Sequence, residues 1–185
     1  MTTNNSPTLD INNANLETLI KLIVLLYADD TVVFAKSEEN LIQAMDIFAN
    51  YCDRWKLQIN YDKTKAMVFG ERPNRRRHIV VNGHNVEFLS EFNYLGVYFT
   101  QNRSFVRTKK YAADQGRKAM FSLLKKIRNL ELSMDCQLKL FDHTVVPILL
   151  YGCEIWGFGD LSFIEKVHID FLKYILHVKK VHQML

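Results

Sequence analysis

The sequence has few cysteines and no long apolar run. Its three cysteines, Cys52, Cys136 and Cys153, are widely spaced, odd in number and without a C-x-x-C pair. This pattern argues against both a disulfide framework and a zinc site. The longest apolar stretches, residues 19–26 and 145–151, fall well short of the roughly 20 residues that a membrane-spanning helix requires. We therefore expect a reduced, intracellular chain without a membrane span.

The first residues also lack the features of a targeting signal. Residues 1–14 are rich in Thr, Asn and Ser and contain no basic region followed by an apolar core. We expect them to form a flexible tail of a protein that is not secreted. The whole chain has 185 residues, of which 48% are hydrophobic, and this is enough to build a substantial core in one domain or two small ones.

Charge is distributed unevenly along the chain, although the net charge is only +4. Residues 1–62 carry 4 basic and 9 acidic side chains, residues 63–128 carry 15 and 4, and residues 129–185 carry 5 and 7. The strongly basic middle segment indicates a surface that meets a polyanion. The alternative is a solvated basic face without a ligand.

The most informative motif is Tyr-Ala-Asp-Asp at residues 27–30, which lies between the apolar runs LIVLL and TVVF. We predict a half-buried β-hairpin whose turn carries Asp29 and Asp30. Because an ionised carboxylate is costly to bury, cations would have to share such a site. Two adjacent carboxylates suit phosphoryl transfer by two metal ions, in which phosphate oxygens of the substrate complete the Mg²⁺ shell. The alternative is a solvated turn, since Asp tolerates turn geometry.

The segment after this hairpin predicts an amphipathic helix. A serine and two glutamates at residues 37–39 favour a helix start, because the acids complement the helix dipole. Apolar residues then recur at steps of three and four up to Trp55, and they include Tyr51. We expect the whole stripe to pack on one face of a sheet.

Several strands follow in the sequence pattern. A strand is expected at residues 66–69. Asn-Gly at residues 82–83 predicts a type I′ turn between strands at residues 79–81 and 84–89. Residues 94–99 have the pattern of one further strand that contains a glycine, a residue that often marks a bulge or a close backbone approach.

Basic residues concentrate in one loop and one helix. The loop at residues 72–77 includes Arg75, Arg76 and Arg77, and it carries too much like charge to pack, so it either extends into solvent or contacts phosphate. A helix predicted at about residues 104–128 has one apolar face and one strongly basic face. The basic face is assigned Arg107, Lys109, Lys110, Arg117, Lys118 and Lys125.

Two further helices are predicted, at about residues 134–149 and 161–177, and Pro147 should kink or stop the first of them. The pattern as a whole favours an α+β fold. Residues 15–100 would form an antiparallel sheet with a packing helix, and residues 101–185 would form a helical bundle, with the boundary near Gln101.

The order of four motifs resembles the second half of a reverse transcriptase palm followed by the thumb, with spacing similar to non-LTR (LINE-type) retrotransposon enzymes. The motifs are YADD at residues 27–30, LQINYDKTK at 57–65, FNYLGV at 92–97 and VPILLYGCEIW at 146–156. The resemblance covers about residues 19–180. It implies a partial polymerase palm, an antiparallel sheet with a packing helix, followed by an α-helical thumb-like bundle.

The resemblance also implies roles for particular residues. In that family the Asp-Asp turn supplies metal ligands, which assigns Asp29 and Asp30 to metal binding. The segment with two lysines lies near the phosphates of the incoming nucleotide, where a lysine would protonate the leaving pyrophosphate. Either Lys63 or Lys65 fits that role.

A second set of residues is implied to hold nucleic acid. The strand with Tyr94, Leu95 and Gly96 resembles the primer grip, a hairpin that holds the 3′ end of the primer near the metals. The basic helix resembles the thumb surface that follows the duplex backbone through largely sequence-independent, salt-sensitive contacts. The implied partners are an RNA template with a DNA primer and a deoxynucleoside triphosphate, and the implied cofactor is Mg²⁺ or Mn²⁺.

The chain also departs from the family pattern. Only Asp10 and Glu17 precede the hairpin, and neither the fingers region nor the earlier palm aspartate that bridges the two metals has a counterpart. Because Mg²⁺ demands near-ideal octahedral geometry, we expect it to bind weakly to Asp29 and Asp30 alone. We therefore expect a fragment of an RNA-directed DNA polymerase that is inactive by itself. The alternatives are a non-catalytic nucleic-acid-binding module and a protein-interaction fragment that self-associates through an exposed palm edge.

Overall fold

The computed structural model describes residues 23–27, 29–70 and 78–178. The strands are β1 (Ile23–Tyr27), β2 (Asp30–Phe34), β3 (Lys65–Ala66), β4 (His78–Val81), β5 (His84–Phe88), β6 (Glu91–Tyr94) and β7 (Val97–Thr100). The helices are α1 (Glu38–Arg54), α2 (Val106–Ile127), α3 (Met134–Thr144), α4 (Val146–Leu149), α5 (Cys153–Trp156) and α6 (Ser162–Ile175). The α+β prediction is confirmed, whereas the expected antiparallel sheet is divided into three small sheets, one of which contains a parallel pair. Among these helices, none combines the length and the apolar character that crossing a membrane requires.

The chain divides into two compact units. Among the described residues, the first comprises residues 23–27, 29–66 and 78–88, and the second comprises residues 67–70 and 89–178. The boundary that the sequence pattern places near Gln101 therefore falls inside the second unit. Strands β6 and β7 belong with the helices because Val97 is part of the helical core and Thr108 of α2 hydrogen-bonds to Tyr98. The expected tail at residues 1–14 lies outside the described residues.

Helix α1 begins as the sequence predicts. Ser37 is its N-cap, and the Ser37 hydroxyl oxygen accepts a hydrogen bond from the Asn40 N–H at 3.2 Å. This bond satisfies one of the backbone donors that the first helical turn leaves without an intrahelical partner. Two glutamates occupy that turn, and the helix ends at Arg54, one residue before the predicted end.

The core of the first unit lies between α1 and the strands of the three-stranded sheet. Its buried apolar members are Met45, Ala66, Ile79, Val81 and Val86. The sequence prediction that Tyr51 and Trp55 share this core is wrong, because their exposed fractions are 50% and 52%. Together with Ile47 they recur every four residues, so they form a separate stripe beside the buried one. Their rings contact each other, with centroids 6.2 Å apart.

The three-stranded sheet has the order β3-β5-β4. The predicted Asn-Gly hairpin is confirmed: β4 and β5 pair antiparallel, and Asn82 and Gly83 have φ of +48° and +76°, the two positive values of a type I′ turn. The predicted strand at residues 66–69 is wrong beyond Ala66. Only Lys65–Ala66 pairs, in parallel with Glu87 and Phe88, and the chain passes into the second unit at residue 67.

The expected single strand at residues 94–99 is also wrong, because these residues contain the turn and part of the second strand of a hairpin. Strands β6 and β7 pair antiparallel from Glu91↔Thr100 to Tyr94↔Val97. Leu95 and Gly96 form the turn with φ of +49° and +82°. Two consecutive positive φ values reverse the chain, so Gly96 lies in a tight turn and not in a strand.

The core of the second unit is formed by the buried face of α2 and the helices that follow it. Phe141 and Phe171 are fully buried, and their rings stack with centroids 4.2 Å apart. The predicted interruption at Pro147 is confirmed: α3 ends at Thr144, and the short helix α4 carries the proline in its first turn. The third predicted helix is confirmed as α6.

Lys109 connects α2 to the loop before α6. Its side chain is buried, with 8% of the residue exposed, and Nζ donates hydrogen bonds to the carbonyl oxygens of Phe158 at 2.5 Å and Asp160 at 2.9 Å. The prediction that Lys109 belongs to a nucleic-acid-binding surface is therefore wrong. Its position on the helix turns it towards the protein, where it satisfies two carbonyl groups.

Replacing Lys109 with Met should lower the free energy of unfolding by about 1–3 kcal/mol, because both carbonyl oxygens lose their donor while the apolar stem is retained. Urea denaturation of the two proteins measures the difference. Lys118→Met is a matched control on the exposed face of the same helix, and it should change stability by less than about 0.5 kcal/mol. Equal stability of the Lys109 variant and the native chain would contradict the structural role of this lysine.

Candidate metal-binding hairpin and nucleic-acid surface

The two aspartates lie at the tip of the β1–β2 hairpin. The strands pair from Ile23↔Phe34 to Tyr27↔Asp30, so Asp30 is the first residue of β2 and Asp29 precedes it in the connection. Both carboxylates are exposed. The expectation of a half-buried turn is therefore wrong for these side chains, and water can solvate their charge without a cation.

The donor set at the hairpin fits part of a divalent-metal site. Asp29 and Asp30 are the oxygen ligands that Mg²⁺ prefers, and this ion is commonly held by one or two carboxylates together with phosphates and water. Over the described ranges, there is no group of three or more His, Cys, Asp or Glu side chains that could hold a metal. The hairpin thus offers two carboxylates and no third protein ligand from the described residues.

The predicted lysines lie in and after a turn capped by Asn60. The Asn60 side-chain oxygen accepts from the Lys63 N–H at 3.1 Å, and the Asn60 carbonyl accepts from the Thr64 hydroxyl at 2.8 Å. Lys65 forms an ion pair with Glu87, with Nζ and Oε2 3.2 Å apart. Lys63 is exposed and has no carboxylate within ion-pair distance among the described residues. The two lysines therefore differ in their availability to an incoming anion.

The predicted primer-grip residues form the tip of the β6–β7 hairpin. Asn93 stabilises this tip, because its side-chain oxygen accepts a hydrogen bond from the Gly96 N–H at 3.0 Å. Tyr94, Leu95 and Gly96 are each partly exposed. Strand β7 is attached to α2, since the Thr108 hydroxyl accepts from the Tyr98 N–H at 3.0 Å and donates to the Tyr98 carbonyl at 2.9 Å.

Helix α2 presents a basic stripe to solvent. We define the α2 stripe as five exposed basic residues, four in α2 and one at its C-cap, that follow one another at steps of three, seven or eight, which places them along one side of the helix. They are Arg107, Lys110, Lys118, Lys125 and Arg128.

The remaining predicted cations are not part of this stripe. Arg117 is only partly exposed and pairs with Asp114 at 2.6 Å, which reduces its availability to phosphate. Arg75, Arg76 and Arg77 lie outside the described residues.

Aromatic residues lie on or beside the α2 stripe and were not assigned from the sequence. Phe121 is 62% exposed, and its position three residues after Lys118 and four before Lys125 could have placed it on the basic face. Tyr98 of β7 contacts Tyr111 with ring centroids 5.2 Å apart, and the Arg107 guanidinium carbon lies 5.1 Å from the Tyr98 ring centroid. Both contacts of Tyr98 depend on the β6–β7 hairpin, and no local sequence signal predicts them.

Known proteins resemble this chain over most of its length. Residues 5–99 match the family model described as reverse transcriptase (RNA-dependent DNA polymerase). The RNA-directed DNA polymerase from mobile element jockey of Drosophila melanogaster is 27% identical over 156 residues, which are 80% of this chain and 17% of that protein. Its namesake from Drosophila funebris is 25% identical over 173 residues, which are 88% of this chain and 19% of that protein.

A third relative is the probable RNA-directed DNA polymerase from transposon BS of Drosophila melanogaster, 25% identical over 159 residues, which are 80% of this chain and 17% of that protein. No solved structure matches the chain. The chain spans less than a fifth of the length of these relatives. The family model covers half of the chain, and the relatives extend the similarity into the helices. The chain therefore belongs to the reverse transcriptase family, in its non-LTR (LINE-type) retrotransposon branch.

Proposed function

We propose that the chain contributes the metal-binding hairpin and part of the primer–template surface of an RNA-directed DNA polymerase. The observation that carries this proposal is the Tyr27–Asp30 pair, which ends the hairpin so that two adjacent carboxylates face solvent. In a family whose reaction joins a primer hydroxyl to a nucleotide phosphate, exposed carboxylates at a hairpin tip suit ligands for Mg²⁺ or Mn²⁺. When bound, such an ion would stabilise the charge that develops on the phosphoryl oxygens.

Lys63 is the better candidate for the group that meets the phosphates of the nucleotide. Its ammonium group is exposed and has no carboxylate partner in the described part of the chain, whereas Lys65 pairs with Glu87. The surrounding loop is held in place by Tyr61, which stacks on His84 with centroids 4.0 Å apart and accepts a hydrogen bond from Asn82. An exposed cation on an anchored loop can neutralise a pyrophosphate and donate a proton to it.

The α2 stripe would follow the backbone of the primer–template duplex. Its five basic side chains can contact phosphates without reading the sequence of the bases. Phe121, between Lys118 and Lys125, adds an apolar contact to the same stripe. The Arg107 side chain is oriented by Glu91, with Nε and Oε1 3.5 Å apart, and by the Tyr98 ring.

A second candidate function is nucleic-acid binding without catalysis. It is favoured by the absence of a third metal ligand from the described residues, because two carboxylates alone leave most of the octahedral Mg²⁺ shell to water and substrate. The two functions share the α2 stripe and differ in their dependence on Asp29 and Asp30.

Replacing Asp29 with Asn should weaken Mn²⁺ binding by about tenfold or more, because one charged oxygen ligand is lost. Electron paramagnetic resonance of free Mn²⁺ during titration measures the dissociation constant. Asp46→Asn, which removes an exposed carboxylate from α1, is the control and should leave Mn²⁺ affinity unchanged. Equal Mn²⁺ affinity of all three proteins would contradict the assignment of the hairpin as a metal site.

The 185-residue chain by itself should not extend a DNA primer on an RNA template with either Mg²⁺ or Mn²⁺. The family resemblance implies a further aspartate on an earlier palm strand, and the only acids before the hairpin are Asp10 and Glu17. A gel assay with labelled primer tests this expectation. Robust extension that disappears in the Asp29→Ala variant would show that these residues suffice for catalysis.

Lys118→Gln and Lys125→Gln should each reduce the slope of log affinity against log salt concentration by about one unit, because each removes one phosphate contact. Fluorescence anisotropy with an RNA–DNA duplex measures affinity at several salt concentrations. Lys166→Gln removes an exposed lysine from α6 and should leave the slope unchanged. A flat salt response of the native chain would argue against a phosphate-binding stripe.

A further inference from the structure

Tyr151 lies against the turn of the β6–β7 hairpin, although 55 residues separate it from Gly96 in the sequence. A Cβ atom placed on Gly96 would be 3.2 Å from Cε1 and 3.7 Å from Cδ1 of Tyr151. The tyrosine ring therefore occupies the space that the missing side chain of Gly96 leaves open. It remains 61% exposed, so it packs on the turn from the solvent side.

The backbone at Tyr151 is attached to the core of the second unit. Its carbonyl oxygen accepts a hydrogen bond from Nε1 of Trp156 at 3.0 Å, and Trp156 is only 1% exposed within the core of the second unit. The next residue, Gly152, approaches Val97, the first residue after the turn, because a Cβ built there would be 3.1 Å from the Val97 Cγ2 atom. The YGCEIW part of the fourth motif thus connects the hairpin turn to the buried core.

Other contacts hold the strand that leaves the turn, and they begin at Val97, which is buried in the helical core. Thr108 bonds to the backbone of Tyr98, the second residue of β7 after the turn, and Arg107 contacts the Tyr98 ring. Asn93 bonds to Gly96 within the turn itself. Among the side chains described around the turn glycine, Tyr151 is the one from outside the hairpin that contacts it. Removal of its ring would take away the packing on Gly96 and leave the turn held only by the contacts of Val97 and Tyr98 and by its own hydrogen bond.

We propose that Tyr151 is a positioning residue for the β6–β7 turn and, through this turn, for the 3′ end of the strand that the turn holds. The inference rests on the proposed function and on the family resemblance, which implies that Tyr94, Leu95 and Gly96 hold the primer end. A turn with two positive φ values and a contact at its glycine is held in one orientation by packing on a rigid ring. A displacement of about 1 Å at such a point is enough to impair the alignment of a bound strand.

The test compares two labelled ligands by fluorescence anisotropy: an RNA–DNA duplex with a recessed DNA 3′ end, and a blunt duplex of the same sequence. We expect the native chain to bind the recessed end more tightly. Tyr151→Ala should reduce this preference by about five- to tenfold, while the salt dependence set by the α2 stripe stays the same. Tyr151→Phe keeps the packing ring and should retain the preference.

Two further variants separate positioning from loss of folding. Gly96→Ala perturbs the same contact from the other side and should also reduce the end preference, because the added methyl meets the ring and Ala disfavours φ near +82°. Ile155→Ala removes an exposed apolar side chain from the same segment and should have no effect. Thermal unfolding followed by circular dichroism checks that each variant is folded.

The outcomes distinguish this inference from the proposed function. Absence of any duplex binding by the native chain would overturn both. Duplex binding without a preference for the recessed end, or an unchanged preference in folded Tyr151→Ala and Gly96→Ala, would overturn only the role of Tyr151. A loss in Tyr151→Phe as large as in Tyr151→Ala would also overturn it, because the hydroxyl and not the packed ring would then be responsible.

Discussion

The buried face of α2 is the constraint on which the second unit depends. Along 22 residues, this helix packs its apolar side against the core that contains Phe141, Trp156 and Phe171. The opposite side must then face water. The basic residues on that side therefore form a continuous stripe, and no other contact is needed to expose them. Thr108, buried near the start of the same helix, attaches the β6–β7 hairpin to it. One helix thereby orients both elements that we assign to nucleic acid.

Local signals in the sequence were sufficient for much of the fold. Ser37 has a hydroxyl that can cap a helix, Asn-Gly at residues 82–83 adopts the positive φ values of a tight hairpin, and Pro147 cannot continue a helix. Each of these depends on chemistry within a few residues. Errors occurred where a distant contact decides the outcome: Tyr51 and Trp55 have helical spacing but lie beside the core, and Lys109 lies on a basic helix but is bound by two carbonyl groups of a later loop.

In the candidate site, too, local sequence predicts some features and distant contacts decide others. Asp29 and Asp30 are identified from four consecutive residues and a family resemblance, and the pairing of Tyr27 with Asp30 agrees with the predicted hairpin. Their exposure was not predicted, because it depends on what packs beside the hairpin tip. The choice between Lys63 and Lys65 depends on Glu87, which lies on another strand. The contact between Tyr151 and Gly96 joins two motifs that the sequence presents as separate, and only the folded chain brings them together.

Lysine footprinting can show whether one side of α2 holds nucleic acid. The chain would be acetylated with a limiting reagent, with and without an RNA–DNA duplex, and the modified lysines would be quantified by mass spectrometry. We expect the duplex to protect Lys110, Lys118 and Lys125, whereas Lys139 and Lys166 on other helices stay reactive and buried Lys109 is unreactive in both samples. Equal protection of all exposed lysines, or protection confined to those of α3 and α6, would contradict this expectation.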